Sequence, residues 1–228
     1  MLYKIAHILR DKFGFIWDLI ELLNSWLFGL RYGGKLAKIE NEILQRYGKE
    51  CGMTVVPMRE VKTEELAAFF AAQPEDAFTF FKPHGFDAKS LSKLQKSKAF
   101  LAYVLIDDNV NVNLNLNDNL NPNANHNHDG SNCPAISGYC FNRSFFIGKG
   151  FRGRMVGMDH RGRGLGTLMN RLLNDIGFGV GLRLFETVSK RNVASYRSAM
   201  SASDVRIVEE MEDDELYLEI LNTARNDK

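Results

Sequence analysis

Three cysteines in 228 residues, Cys51, Cys133 and Cys140, are too few and too widely spaced for a disulfide framework or a C-x-x-C pair. They suit a reducing cytoplasm, each as a small apolar filler. Charge of one sign is also lacking. A formal net charge of +1 gives no global attraction to nucleic acid or to an anionic membrane, so any electrostatics must be local. No apolar run is clean enough to cross a bilayer. The best, Phe13 to Leu30, carries Asp18, Glu21 and Asn24, which would set two acids at mid-bilayer. The same stretch lacks the small-residue cleavage site of a secretory leader. What is present is an ordinary soluble composition, 45% hydrophobic and 25% charged, with room for one large domain or a domain plus an appendage.

Residues 1–50 predict a helical extension. Leu2, Ile5, Ile8, Leu9, Phe13, Ile16, Leu19, Ile20, Leu23, Leu27 and Leu30 form a broad apolar stripe, Gly33-Gly34 punctuate it, and a more charged helix follows from Lys35 to Tyr47. A stripe this wide must be covered by the domain itself, by a second copy in a homodimer, or by lipid as an in-plane helix. The expected domain proper is 51–228. It opens on a short strand at Thr54 to Met58, whose Pro57 suggests a sheet edge. A helix capped by Thr63 follows, then the aromatic stretch Phe78 to Asp87, a helix over 90–97 and a strand over 99–106.

Every odd position from Asn109 to Asn127 is asparagine. This low-complexity tract reads as a loop insertion, 109–132, at the tip of a hairpin, because closure entropy grows slowly with length. His126 and His128 stand two apart but have no further ligand nearby in sequence, so no metal site is expected.

The most informative stretch is Val156-Gly157-Met158-Asp159-His160-Arg161-Gly162-Arg163-Gly164-Leu165-Gly166-Thr167. A strand precedes it. After it, Leu165, Leu168, Met169, Leu172, Leu173 and Ile176 recur at helical spacing. A strand therefore feeds a glycine-rich turn that opens an amphipathic helix. The first N–H groups of a helix lack partners and lie at its positive end. Glycines let a phosphate approach them closely, and Arg161 and Arg163 add charge. The spacing is neither G-x-G-x-x-G nor a Walker loop. A second marker is the strand ending at Val188, followed by Asn192 at the start of a helix.

R-x-x-G-x-G after an apolar strand, with that downstream Asn, resembles the GNAT superfamily of acyl-CoA N-acyltransferases over residues 151–204. The resemblance implies an α/β fold, a mixed sheet with helices on both faces, in the order β-α-α-β-β-β-α-β-α-β-β. It also implies acetyl-CoA as acyl donor. Val156, Gly157 and Met158 would supply backbone N–H groups to the thioester. Arg161, Gly162, Arg163, Gly164, Leu165, Gly166 and Thr167 would hold the pyrophosphate, and Asn192 the pantetheine arm.

Catalytic candidates are Glu186, a carboxylate in line with Leu184 and Val188, and His84 in the Pro83-His84-Gly85-Phe86-Asp87 loop. The family's usual tyrosine acid falls at Ala199, and Tyr196 is the nearest substitute. The expected reaction is acetyl transfer to the primary amine of a small molecule. A looser likeness to enzymes of surface-polysaccharide synthesis suggests an amino sugar. The competing reading is a degenerate acyltransferase fold that binds CoA or acts as a scaffold. A nucleic-acid patch built on the clustered arginines is disfavoured by the neutral net charge and the absence of interleaved aromatics.

Overall fold

The computed structural model describes residues 14–108 and 136–222. Expectations for residues 1–13, and for the insertion 109–132 with its histidines, lie outside them.

The first element is a single helix, α1, Gly14–Cys51. Gly33 and Gly34 do not divide it. Glycine weakens a helix interior by only ~1 kcal/mol, and the anchoring on either side outweighs that. Phe28, Tyr32, Leu44 and Tyr47 are buried in the principal core. The buried Glu40 accepts from Tyr103 Oη at 3.1 Å and pairs with Arg59 at 2.6 Å. Tyr47 Oη donates to Asp175 at 2.9 Å.

β1 (Thr54–Pro57), α2 (Thr63–Ala71), α3 (Ala88–Gln95), β2 (Phe100–Ile106), β3 (Ile136–Phe145) and β4 (Lys149–Val156) follow. Then come α4 (Leu165–Val180), β5 (Arg183–Ser189), α5 (Val193–Ala202), β6 (Val205–Glu210) and β7 (Glu215–Ile220). The order of strands and helices after α1 is the expected one. Thr63 does not cap α2: Lys62 holds the cap position, and Thr63 Oγ1 donates to Gln95 Oε1 at 2.7 Å instead. The sequence also places Gly177, Gly179 and Gly181 at the end of α4, but only the last of them ends it. The other two lie inside it, where Leu184 and Ile39 occupy the space that side chains would need, and Gly181 at φ 100° closes the helix.

The seven strands form one mixed sheet in the order β1-β2-β3-β4-β5-β7-β6, with β1 at an edge as its proline suggested. Alternation along the strands divides the core. Leu101, Tyr103, Leu105 and Cys140 face α1 and α4, whereas Phe100, Ala102, Val104, Tyr139 and Phe141 face α2 and α3. Helices therefore cover both faces. Among the described residues the only parallel pair is β4 with β5, and it is short: Lys149 with Arg183, Gly150 with Leu184 and Phe151 with Phe185. Beyond those residues the two strands separate.

Candidate active site

The separation of β4 and β5 opens a cavity of about 520 Å³ that passes through the sheet. Its walls are Arg152 to Val156 of β4 and Glu186 to Ser189 of β5. One end is closed by the turn before α4 and the start of α5, through Arg161, Gly162, Gly164, Gly166, Thr167, Asn192, Ser195 and Ser198. On the other side stand Asp76, Phe80, Phe81 and Glu215.

The turn is shaped by its glycines. Gly162 and Gly164 both take φ 77°, a left-handed conformation that costs a side-chain-bearing residue ~1–2 kcal/mol. Nothing lies within 4 Å of where a Cβ would stand at either, so their backbone is open to a ligand. The first helical N–H groups to bond are those of Thr167 and Leu168, both to the Gly164 carbonyl at 3.1 Å. Leu165 and Gly166 thus begin the helix with N–H groups that precede its hydrogen-bond ladder. Leu165 contributes only backbone, because its side chain is buried in the core. Arg161 lines the cavity. Arg163 does not: it faces the end of α1, beside Glu50 and Cys51.

Two of the three expected thioester donors are already engaged. Gly157 N–H donates to the Ser137 carbonyl at 2.8 Å, and Met158 N–H to Gln73 Oε1 at 3.1 Å. A Cβ on Gly157 would meet that Ser137 carbonyl at 3.1 Å and Phe69 at 3.3 Å, so the glycine serves packing against β3 and α2. Because Gly157 bonds toward β3, the alternation of an antiparallel ladder turns the N–H groups of Val156 and Arg154 the other way, into the gap. Asn192 caps α5, its Oδ1 accepting from Ser195 N–H at 3.1 Å. The cap uses the oxygen alone and leaves the amide NH2 beside the cavity.

The floor of the gap is ionic. Glu186 Oε2 pairs with Arg152 Nε at 2.7 Å and Arg154 Nη1 at 3.5 Å, and all three side chains are buried. Arg152 also donates to Asn174 at 2.5 Å. Arg154 reaches across the gap to the Ser195 carbonyl at 2.8 Å and its hydroxyl at 3.1 Å. Burial lowers the Arg154 pKa to about 10, with Glu186 opposing that shift, so the guanidinium keeps its proton at neutral pH. The cluster carries two cations and one carboxylate. Glu186 is therefore a counter-ion to two arginines, which is poor placement for a free general base.

The other catalytic candidates lie away from the gap. His84 sits among Phe70, Phe86, Phe100, Tyr139 and Phe141. Its Nδ1 lies 2.8 Å from the Gly85 carbonyl, which can only accept, so Nδ1 carries the proton and Nε2 accepts from Tyr139 Oη at 3.0 Å. Burial lowers its pKa to about 4, with smaller opposing and reinforcing contributions from Gly85 and Arg143 respectively. Tyr196 packs against Val188, Leu216 and Leu218. Ala199, where the resemblance would put a tyrosine, is fully buried. Sequence reasoning missed Arg152, Ser195 and Ser198. The available signal was the period of two that sets Arg152 beside Arg154 on one face of β4.

No family model matches the chain, and no curated protein sequence does. Solved structures do match in shape. The chain is similar to the GNAT domain of S. lividans PAT, with a TM-score of 0.55 at 12% identity over 74% of this chain and 89% of that one. It is also similar to a domain from Methanocaldococcus jannaschii, with a TM-score of 0.50 at 11% identity over 74% of this chain and 98% of that one. At these identities the likeness is one of fold, and the fold is GNAT.

Proposed function

We propose that the chain is an acetyl-CoA-dependent N-acetyltransferase acting on the primary amine of a small molecule. The observation that carries this reading is the early end of the β4–β5 pairing, which opens a gap running from a glycine-lined helix start through the sheet. The open space over Gly162 and Gly164, the leading N–H groups of α4 and the Arg161 guanidinium suit a pyrophosphate. The N–H groups of Val156 and Arg154 suit a polar arm lying along β4. Bound there, acetyl-CoA supplies an activated acyl group whose thiolate can leave.

In this reading Val156 and Arg154 hold the carbonyl through backbone N–H, and the excess positive charge of the Arg152–Glu186–Arg154 cluster favours negative charge developing on its oxygen. The amine approaches from the side of Asp76, Phe80, Phe81 and Glu215. These two carboxylates attract an ammonium group and are the ones available to take the proton it must lose before attack. The two phenyl rings give an apolar wall to the scaffold that carries the amine, and an amino sugar is one scaffold with such a face. The reducing interior of a cell is the compartment that fits its few cysteines.

Thiol release from acetyl-CoA, measured across a panel of amines and amino sugars, tests the proposal. The expected result is turnover with at least one acceptor, abolished in Gly166→Val while the thermal melt is kept. The buried Ala199 and a Tyr196 packed against Val188, Leu216 and Leu218 favour one alternative, a fold that binds CoA without chemistry. A CoA-induced rise in melting temperature with no thiol release from any acceptor would establish it.

A further inference from the structure

The first half of α1 does two things at once. One side of it holds the domain: Asn24 exchanges hydrogen bonds with the Ser144 carbonyl and the Phe146 N–H, both at 3.0 Å, Ser25 accepts from Lys98 N–H, and Phe28 is fully buried. The opposite side is bare. Phe15, Leu19, Leu22, Leu23, Trp26 and Leu30 lie within about 100° of arc at 100° per residue, directed away from the body. Leu22 is 67% and Trp26 57% exposed. The turn between β3 and β4 adds Phe146 and Ile147 beside the helix, where Arg31 donates to the Phe146 carbonyl. Isolated exposed leucines need no explanation, but a contiguous patch of this size marks an interaction surface.

Charge identifies the occupant. An apolar groove of about 730 Å³ runs between α1 and α3, and its only acids among the described residues are Asp18 and Glu21. The sequence alone makes these two acids an objection to a lipid-facing helix. The fold removes it: Lys93 pairs with Asp18 at 2.5 Å and with Glu21 at 3.4 Å, and Arg143 pairs with Glu21. The exposed arc itself carries no charge. Lys89 and Lys96 line the groove, Arg31 stands by Phe146 and the Lys98 side chain lies against Gly29 of α1, further cations with no ion pair among the described residues. A chain of net charge +1 has thus gathered a locally basic rim around its most exposed apolar side chains. Two copies meeting through this face would bring their basic rims together. An anionic bilayer surface meets the rim with opposite charge and the arc with hydrocarbon.

We propose that this face is a peripheral docking surface for anionic lipid, with the first half of α1 lying in the plane of the headgroups. No described helix is long and apolar enough to cross a membrane.

Co-sedimentation of the full chain with vesicles tests it, using phosphatidylcholine mixed with phosphatidylglycerol, and phosphatidylcholine alone. The expected result is binding to the mixed vesicles that weakens with added salt. Leu22→Gln/Trp26→Gln changes only exposed side chains and should lower that partition about tenfold or more, leaving the melt and CoA binding intact. Lys89→Glu/Lys96→Glu should lower it by roughly fivefold per lysine on mixed vesicles and far less on neutral ones. Failure of the full chain to bind mixed vesicles overturns the proposal, as does equal binding by Leu22→Gln/Trp26→Gln. A dimer in sedimentation that this double variant converts to monomer, without vesicle binding by the parent, would give the face to a second copy instead. None of these outcomes depends on turnover, so the docking surface can fail while the acetyltransferase reading stands.

Discussion

The tripeptide Arg-Gly-Arg occurs at 152–154 and again at 161–163, and the fold puts the two copies to opposite uses. In β4 the period of two sends both arginines to one side, where Glu186, Asn174 and Ser195 hold them in the floor of the gap. The glycine between them leaves room for the Phe141 ring, which would lie 2.5 Å from a Cβ. In the turn, Gly162 adopts a left-handed conformation and the flanking arginines part company. Arg161 borders the cavity and Arg163 faces the end of α1. Composition is the same in both places. What differs is backbone period and the presence of a fixed counter-charge, and these decide whether an arginine is a structural ion or an exposed ligand for anions.

The strongest way to break this comparison is to remove Arg152. Arg152→Met leaves Glu186 and Asn174 without their nearest partner in a buried place, and should cost ~3–5 kcal/mol in urea unfolding. Arg152→Met/Glu186→Leu should recover little of that loss, because it leaves the Arg154 guanidinium without its carboxylate; near-neutral replacement needs Arg154 exchanged for an apolar residue as well. A single-variant cost below ~1 kcal/mol would mean that the floor is wet and its ions screened.

His84 sharpens the rule from the neutral side, as a half-buried base with no counter-charge. Its folded pKa of about 4 lies below the usual 6.5. Above pH 6.5 it is neutral in both states and its contribution to stability is fully present. As pH falls from 6.5 toward 4 the unfolded chain takes up the proton first, and stability is lost by ~2–3 kcal/mol. His84→Gln should flatten that part of a stability profile measured against pH.

The smallest effects concern the second tripeptide. If the proposed pyrophosphate site holds, Arg161→Ala should weaken CoA binding about tenfold without shifting the melt of the free protein, since the side chain is exposed and lines the cavity. Arg163→Ala should change affinity by less than about twofold. Calorimetric titration of both variants checks the contrast, and equal losses would place both arginines on the ligand.

Much of this arrangement was legible in the sequence. Glycine spacing located the left-handed turn before α4, helical periodicity located α4, and Asn192 announced the cap of α5. The gap's lining was harder to read. Alternation groups Arg154 with Val156, but it does not say that β5 has moved away and left that face open. His84 and Tyr196 were misjudged for a related reason. Each stands near the site in sequence, yet the side chain's direction depends on turns and partners elsewhere, the aromatic cage for one and Leu216 and Leu218 of β7 for the other. The unbroken α1 shows tertiary anchoring overriding two glycines.

The three residue pairs joining β4 to β5 have a mechanical consequence. On one side β3 grips β4 over eight pairs, and on the other β7 grips β5 over six. Each half-sheet is therefore stiff, and the join between them is a seam stitched at one end only. Whatever lies in the unstitched part and bonds to both margins acts as a rivet. It would resist the halves sliding or fanning apart, and the stiffness of the whole sheet would then report, at a distance, on whether the seam is filled.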